Sequence, residues 1–152
     1  MTKFDPLKIS RDLDLCAPYF KQLVEKAIAD CNALGYQVRV FEAFRTEERQ
    51  DWLYAQGRTR EGKIVTKARG GWSWHNYGLA QDVAQLINGV WSWDFDPAKI
   101  SQPFLDQGLE WLYPYESCHF QMTGGIPIEI ARETARKFGL PKLWADVENG
   151  KK

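Results

Sequence analysis

The chain has 152 residues, which suits a single domain with a substantial apolar core. Apolar residues make up 44% of the sequence and seven residues are tryptophan, a composition that excludes a disordered chain. The formal net charge is zero, which argues against a nucleic-acid partner. No run of about 18 apolar residues is present and the N-terminus has no apolar signal core, so neither stable membrane insertion nor a signal peptide is expected.

The first part of the chain predicts a helix, a strand and a second helix. Pro18 suits the first turn of the first helix and Gly35 suits its exit. Its apolar side chains recur at helical spacing: Phe20, Leu23, Ala27, Cys31 and Leu34. Residues 37–43 alternate polar and apolar side chains, which predicts a strand. Thr46 is then the expected N-cap of a second helix that runs to about Gln56.

A long connection, residues 57–71, follows this helix. A short strand is predicted inside it at 63–66. The connection carries a run of basic side chains: Arg58, Arg60, Lys63, Lys67 and Arg69. Such a run either forms a solvated loop or attracts an anionic polymer.

Period-two patterning predicts a strand around Asp82. Ala80 and Ala84 share the face of Asp82, and these small neighbours leave room for a group to approach its carboxylate. Asn88-Gly89 predicts a hairpin turn into a returning strand at 90–93.

Three further elements are predicted towards the C-terminus. Asp96-Pro97 suits the start of a helix that ends near Gln107. A last strand is expected around 118–122, and Pro127 can open a final helix. The tail, residues 141–152, is expected to dock through two apolar side chains, Leu143 and Trp144.

Both histidines of the chain and one aspartate are candidate ligands of a zinc ion. Zinc takes imidazole nitrogen and carboxylate oxygen, and a catalytic site has three protein ligands with a fourth position for water. His75, Asp82 and His119 meet that count. We expect His75 in a loop, because Asn76-Tyr77-Gly78 is poor helix material. The alternative is that both histidines are ordinary packed residues without a metal.

Glu116 and Arg45 are the candidate catalytic residues. Residues three apart on a continuous strand point to opposite faces, so Glu116 must lie in the loop before the strand of His119. There its carboxylate could take the proton of a metal-activated water. Arg45 lies between a predicted strand and the helix that follows it. Its guanidinium could polarise the scissile carbonyl, hold an oxyanion or bind a substrate carboxylate. Its alternative role is a surface ion pair.

Two motifs carry a family resemblance: Ser73-x-His75-x-x-Gly78-x-Ala80-x-Asp82, and Glu116-x-x-His119-Phe120. Together they are similar to the zinc motifs of VanY-type D-Ala-D-Ala carboxypeptidases. They most resemble the phage-endolysin and bacterial relatives of that family, which cut the L-alanyl-D-glutamate bond of peptidoglycan stem peptides. The resemblance covers roughly residues 37–123. We expect a single catalytic peptidase domain over 1–152, completed by a C-terminal helix and tail at 127–152.

The resemblance implies specific roles for residues of this chain. The positions that match the zinc ligands are His75, Asp82 and His119. Glu116 matches the catalytic acid/base, and Arg45 matches the arginine that stabilises the substrate or the transition state. Two further motif positions near the site, expected to bind substrate, are Ser73 and Gln50.

The resemblance also implies the fold. The family has a small α+β domain whose antiparallel sheet carries the zinc and is flanked by helices, as in lysostaphin-type peptidases and the hedgehog signalling domain. This chain departs from its relatives at Leu112–Tyr115, where they usually have glycines, and at Cys118, where they often have proline. Both changes border the expected substrate cleft, so they bear on which bond is cleaved.

The function that the resemblance implies is a zinc-dependent peptidoglycan peptidase of endolysin type, which hydrolyses the L-alanyl-D-glutamate bond of stem peptides. The alternatives are a D-alanyl-D-alanine carboxypeptidase and a non-catalytic, zinc-containing binding module. The expected partner is the peptidoglycan stem peptide, and a monomer is expected. Such an enzyme would be made in the cytoplasm of the bacterial host and would reach the cell wall through a separate membrane pore.

Overall fold

The computed structural model describes residues 5–150, so the extreme ends of the predicted domain and tail, 1–4 and 151–152, lie outside the described residues. Within that part, five α-helices and five β-strands follow one another. The helices are α1 (Pro18–Ala33), α2 (Glu47–Ala55), α3 (Pro97–Asp106), α4 (Ile128–Phe138) and α5 (Leu140–Gly150). The strands are β1 (Val38–Glu42), β2 (Ala80–Ile87), β3 (Val90–Ser92), β4 (Glu110–Trp111) and β5 (His119–Gln121). Short 3-10 turns lie at Leu13–Leu15 and Trp74–Tyr77.

The strands form one antiparallel sheet in the order β1-β2-β5-β4, and β3 also pairs with β2. The predicted α+β class with an antiparallel sheet is therefore confirmed. The register places Asp82 of β2 opposite His119 of β5 on one side of the strand. On the other side of β2, Asp82 lies opposite Glu42 of β1. A bulge in β1 lies between Val40 and Glu42. Three titratable side chains from neighbouring strands thus lie in one row across the sheet.

The apolar core packs the sheet against the helices α1 and α3, and buried side chains of α4 and α5 belong to the same cluster. Phe104 of α3 stacks on Phe120 of β5 with the ring centroids 4.2 Å apart. The buried side chains of α1 are Phe20, Val24, Ala27 and Cys31. The predicted apolar stripe was wrong at Leu34, which is 65% exposed because α1 has already ended at Ala33.

The local signals at the element ends are confirmed. The Thr46 hydroxyl accepts a hydrogen bond from the Arg49 amide at 3.0 Å and caps α2. Asp96 caps α3 in the same way. Asn88 and Gly89 both have positive φ, 52° and 78°, as a two-residue turn between antiparallel strands requires.

The short strand predicted at 63–66 is wrong, because side chains rather than strand pairing hold this segment. Gln56 donates to the Lys63 carbonyl at 3.0 Å, and Arg58 donates to the Thr66 carbonyl at 3.2 Å. The apolar side chain that suggested a strand, Val65, is 53% exposed. The β-branched residues here line a loop.

The tail forms a full helix, α5, where only docking was predicted. Leu143 and Val147 are completely buried, and they lie one helical turn apart on one face. The Trp144 indole donates to the Tyr77 carbonyl at 2.7 Å, and its own carbonyl accepts from the Tyr19 hydroxyl at 2.6 Å. The predicted docking through Leu143 and Trp144 is confirmed.

Across the described residues, none of the helices combines the length and the apolar character that crossing a bilayer requires.

Gly78, which ends the turn at Trp74–Tyr77, has a φ of 69°, and a Cβ there would lie 2.9 Å from the Cα of Cys16. Gly78→Ala is therefore expected to lower the free energy of unfolding by about 3 kcal/mol, through left-handed strain and a backbone clash. Gly89→Ala is the matched control, because its φ is 78° with nothing within 4 Å of the added Cβ. Urea unfolding measures both, and equal losses would contradict the clash at Gly78.

Candidate metal centre

The turn that presents His75 is built by two polar side chains. The Ser73 hydroxyl accepts from the His75 amide at 3.3 Å, and the Asn76 side-chain oxygen accepts from the Ser73 and Gly71 amides at 3.3 and 3.0 Å. This reciprocal capping closes a 3-10 turn, so the loop predicted for His75 is wrong. Asn76 is a poor residue inside a helix but a good one at its ends, and the same side chain also donates to the Arg45 carbonyl at 2.9 Å.

His75, Asp82 and His119 come together, each with one ligand atom within 4.8 Å of the others. The Asp82 Oδ1 lies 3.3 Å from the His75 Nε2 and 3.2 Å from the His119 Nδ1. The imidazoles are almost fully buried, whereas the Asp82 side chain is 24% exposed towards the cleft. The arrangement offers two nitrogen atoms and a carboxylate oxygen to one cation.

In each imidazole, the ring nitrogen that faces away from Asp82 makes a hydrogen bond that fixes the orientation of the ring. The His75 Nδ1 lies 2.8 Å from the Ala43 carbonyl, which can only accept, so Nδ1 carries the proton and Nε2 offers its lone pair. The His119 Nε2 lies 2.8 Å from the Gln121 side-chain oxygen, so in that ring Nδ1 is the free nitrogen. Gln121 follows His119 by one strand repeat and was not predicted as a site residue.

The buried His119 Nδ1 tests whether these residues suit a cation. It lies 3.0 Å from the Glu116 Oε2 and close to Asp82, yet among residues 5–150 it has no partner with hydrogen-bond alignment. Burial opposes protonation, but the two carboxylates outweigh it and raise the pKa of His119 to about 10. Burial likewise opposes ionisation of Asp82, but the imidazoles hold its pKa well below the usual range. The site therefore attracts positive charge, and its donor set fits a metal ion.

Glu116 lies in the loop between β4 and β5, where the strand geometry required it. Its amide donates to the Leu112 carbonyl at 2.9 Å, and its carbonyl accepts from the His119 amide at 3.3 Å. The side chain is 49% exposed. The contact with His119 holds the pKa of the Glu116 carboxyl below its ordinary value, although partial burial opposes this. An ionised carboxylate thus stands beside the three candidate ligands and in contact with solvent.

Arg45 lies in a buried ionic cluster, not in the surface ion pair that was its alternative. Its Nε and Nη2 donate to Glu42 at 3.1 and 2.9 Å, and its Nη2 lies 3.7 Å from the Asp82 Oδ2. Arg49 donates to the same Glu42 carboxylate at 2.6 and 3.2 Å. Two guanidinium groups share one carboxylate, which leaves the cluster with a net positive charge facing the candidate metal site.

Glu42 and Arg49 were missed by sequence reasoning. Burial opposes ionisation of Glu42, but the hydrogen bonds from Arg49 and Arg45 outweigh it and lower its pKa. The available signal was an acidic residue at the end of a predicted strand with arginines three and seven positions later, the second of them in the next helix.

Gln50 and Ser73, predicted to bind substrate, are occupied by internal contacts. Gln50 is fully buried, accepts from the Arg45 Nη1 at 3.0 Å and donates to the Ala68 carbonyl at 2.8 Å. Ser73 lines the cleft, but its hydroxyl caps the turn of His75. Both side chains therefore support neighbouring site residues.

The candidate site opens into a cleft of about 640 Å³. Its floor carries His75, Asp82 and His119, and Trp93 and Trp72 contribute to its walls. Three of the five positions where the chain departs from the motif pattern also line it: Leu112, Tyr115 and Cys118. Both departing segments therefore border the cleft, as expected, each through the residues named.

Comparison with known proteins identifies the family. The family model described as VanY, D-alanyl-D-alanine carboxypeptidase, matches residues 15–102. The peptidoglycan L-alanyl-D-glutamate endopeptidase CwlK of Bacillus subtilis (strain 168) is 48% identical over 80 residues, which are 52% of this chain and 48% of that protein. The chain thus spans about half the length of this curated relative.

A solved structure has the same fold. The crystal structure of the Serratia marcescens L-Ala D-Glu endopeptidase ChiX matches with a TM-score of 0.53 and 20% sequence identity. The match covers 87% of this chain and 92% of that one. At this identity the likeness concerns the fold. Because the family model spans more than half of the sequence, this chain belongs to the VanY, D-alanyl-D-alanine carboxypeptidase, family.

Proposed function

We propose that this chain is a zinc-dependent peptidase that hydrolyses the L-alanyl-D-glutamate bond of peptidoglycan stem peptides. The observation that carries the proposal is the convergence of His75, Asp82 and His119 within 4.8 Å, beside the ionised Glu116 in an open cleft. CwlK and ChiX are both named for cleavage of this bond, which supports it over the bond in the family's description. The proposed site of action is the bacterial cell wall, and the proposed active form is the monomer.

Zinc is the proposed metal, held by the His75 Nε2, an Asp82 oxygen and the His119 Nδ1. Two imidazoles and one carboxylate form a donor set that zinc takes in catalytic sites. When bound, such an ion supplies Lewis acidity, which lowers the pKa of water and polarises a carbonyl. The hydrogen bonds to Ala43 and Gln121 keep the two nitrogen lone pairs directed at the site.

Glu116 is the proposed general base and acid. Its lowered pKa keeps the carboxylate ionised near neutral pH, ready to accept a proton from the attacking water at one of its oxygens. It would then deliver that proton to the amine nitrogen of the departing D-glutamyl fragment. Its partial exposure in a loop allows it to face both groups in turn.

Arg45 is the proposed donor to the substrate. Its guanidinium sits 3.7 Å from Asp82, and the cluster with Glu42 and Arg49 carries a positive excess that favours developing negative charge on a carbonyl oxygen. Gln50 is proposed to act by positioning Arg45, and Ser73 by holding the turn of His75.

Two other functions compete with this proposal. A D-alanyl-D-alanine carboxypeptidase matches the family's description and would need a cationic group for the terminal carboxylate, a role Arg45 can fill. A binding module that holds zinc without catalysis would need neither Glu116 nor the positive cluster at Arg45. The presence of both groups on the cleft wall favours a peptidase.

Digestion of purified peptidoglycan, followed by mass spectrometry of the muropeptides, tests the proposed bond. We expect glycan strands that retain L-alanine and free peptides that begin with D-glutamate. A chelator should abolish cleavage, and added zinc should restore it. Release of a single D-alanine would replace the proposed bond with the carboxypeptidase reaction, and cleavage that is indifferent to chelation would contradict the metal.

A further inference from the structure

A second pocket adjoins the metal cleft. It has a volume of about 470 Å³ and is lined by Thr66, Lys67, Ala68, Arg69, Trp72 and Glu116. Four of these residues also line the metal cleft: Thr66, Ala68, Trp72 and Glu116. The two spaces are therefore continuous, and Glu116 stands at their junction.

Lys67 is the available cation of this second pocket. Most of the loop's arginines are tied to the chain itself, since Arg58 donates to the Tyr54 carbonyl at 2.6 Å and Arg60 to the Trp52 carbonyl at 2.9 Å. Arg69 is hydrogen-bonded to the Tyr54 hydroxyl, which lowers the pKa of that tyrosine. Lys67 is exposed, and within residues 5–150 its ammonium has no ion pair or hydrogen bond.

The backbone that carries Lys67 is fixed on both sides. Gln50 donates to the Ala68 carbonyl at 2.8 Å and to the Thr66 hydroxyl at 3.3 Å, and that hydroxyl accepts from the Ala68 amide at 3.1 Å. Gln50 also binds Arg45, so the pocket is connected to the ionic cluster of the main cleft. A loop held in this way needs little ordering when a ligand binds.

The junction at Glu116 indicates which end of the substrate enters the second pocket. A general acid must face the leaving amine, so the fragment that departs with this amine, on the carboxyl-terminal side of the scissile bond, lies next to Glu116. Glu42, Arg45 and Trp93 line the metal cleft but not the second pocket. The space that continues past Glu116 thus lies on the side of the departing, carboxyl-terminal fragment.

We propose that the second pocket binds the acidic departing fragment of the substrate, which begins with D-glutamate, and that Lys67 binds a free carboxylate of this D-glutamyl residue. A glutamyl residue that is joined onward through one carboxyl group keeps the other as a free carboxylate, unless it is amidated. The Lys67 ammonium carries the opposite charge and can pair with this carboxylate. Trp72, whose ring is 39% exposed, offers an apolar surface for the neighbouring methylene groups. This inference rests on the proposed function and makes Lys67 a specificity-determining residue.

Two synthetic stem peptides test the inference: one with a free D-glutamyl α-carboxylate and one with the corresponding amide. Lys67→Ala is expected to lower kcat/KM about tenfold on the free acid, mainly through KM, because a charge-assisted hydrogen bond is lost. On the amide the change should stay below about twofold. Lys67→Arg should restore most of the preference for the acid. Lys63→Ala is the matched control, since Lys63 is exposed in the same loop but lines neither pocket.

The outcomes separate this inference from the proposed function. If the parent protein cleaves neither peptide between alanine and the D-glutamyl residue, the proposed function is overturned and the inference falls with it. If the parent cleaves them but Lys67→Ala leaves both unchanged, or slows both equally, the reaction stands and the carboxylate site is wrong.

Discussion

Replacing Glu116 with glutamine is expected to lower kcat about 10³-fold, the size typical for loss of a general base. Glutamine has the same shape but cannot accept the proton of an attacking water. Glu116 lies in a half-exposed loop and is not one of the three grouped ligand residues, so the variant should fold and keep one zinc ion per chain. The measurements are single-substrate kinetics and metal analysis on the same preparation.

His75→Ala is the companion variant, because it removes a proposed ligand and should lose metal and activity together. The contact of 3.0 Å between the Glu116 Oε2 and the His119 Nδ1 leaves a second role open to the glutamate. A Glu116→Gln protein that loses zinc in step with activity would make Glu116 a ligand. One that stays fully active would remove it from the mechanism.

Replacing Glu42 with glutamine is expected to lower the free energy of unfolding by about 3–5 kcal/mol at neutral pH, as for other broken buried ion pairs. The carboxylate accepts from Arg45 and Arg49, and both guanidinium groups would keep their charge against a neutral amide. Glu47→Gln is the matched control, because the pair of Glu47 with Arg136 is about half exposed and spans 3.4 Å. In Glu47→Gln the free energy of unfolding should fall by less than about 1 kcal/mol.

The same substitution has an expected pH dependence. The pKa of Glu42 is lowered in the folded protein, so its contribution to stability is present above the unfolded pKa, about 4.3, and is lost as the pH falls through the folded value. The stability difference between the parent and Glu42→Gln should therefore be largest near pH 7 and shrink in acid. Urea unfolding at several pH values measures it. A difference that stays constant with pH would contradict an ionised Glu42.

The parts of the fold that depend on local signals could be predicted from the sequence. Thr46 and Asp96 cap their helices through their own side chains, and Asn88-Gly89 sets its turn by backbone preference. Period-two patterning predicted the strand that carries Asp82. The grouping of His75, Asp82 and His119 could be anticipated because the chain has two histidines, each in a motif with a carboxylate.

The remaining features depend on contacts between distant segments. Glu42 is buried in a cluster with Arg49 of α2, which reaches it from beyond the connection that follows β1, and no local pattern encodes this pairing. Asn76 looked like a loop residue because its partners, the Gly71 amide and the Arg45 carbonyl, come from different segments. Among the basic residues of the 57–71 connection, composition could not distinguish the tied arginines from the free Lys67.

The last helix, α5, has a consequence for the candidate metal centre although it supplies no ligand. The Trp144 indole holds the Tyr77 carbonyl, two residues beyond His75, and Gly124 packs directly on the backbone of Val147. The indole hydrogen bond thus ties α5 to the turn that carries His75. We therefore expect ion binding at His75 and docking of α5 to be linked equilibria, in which stabilising either one strengthens the other by the same free energy.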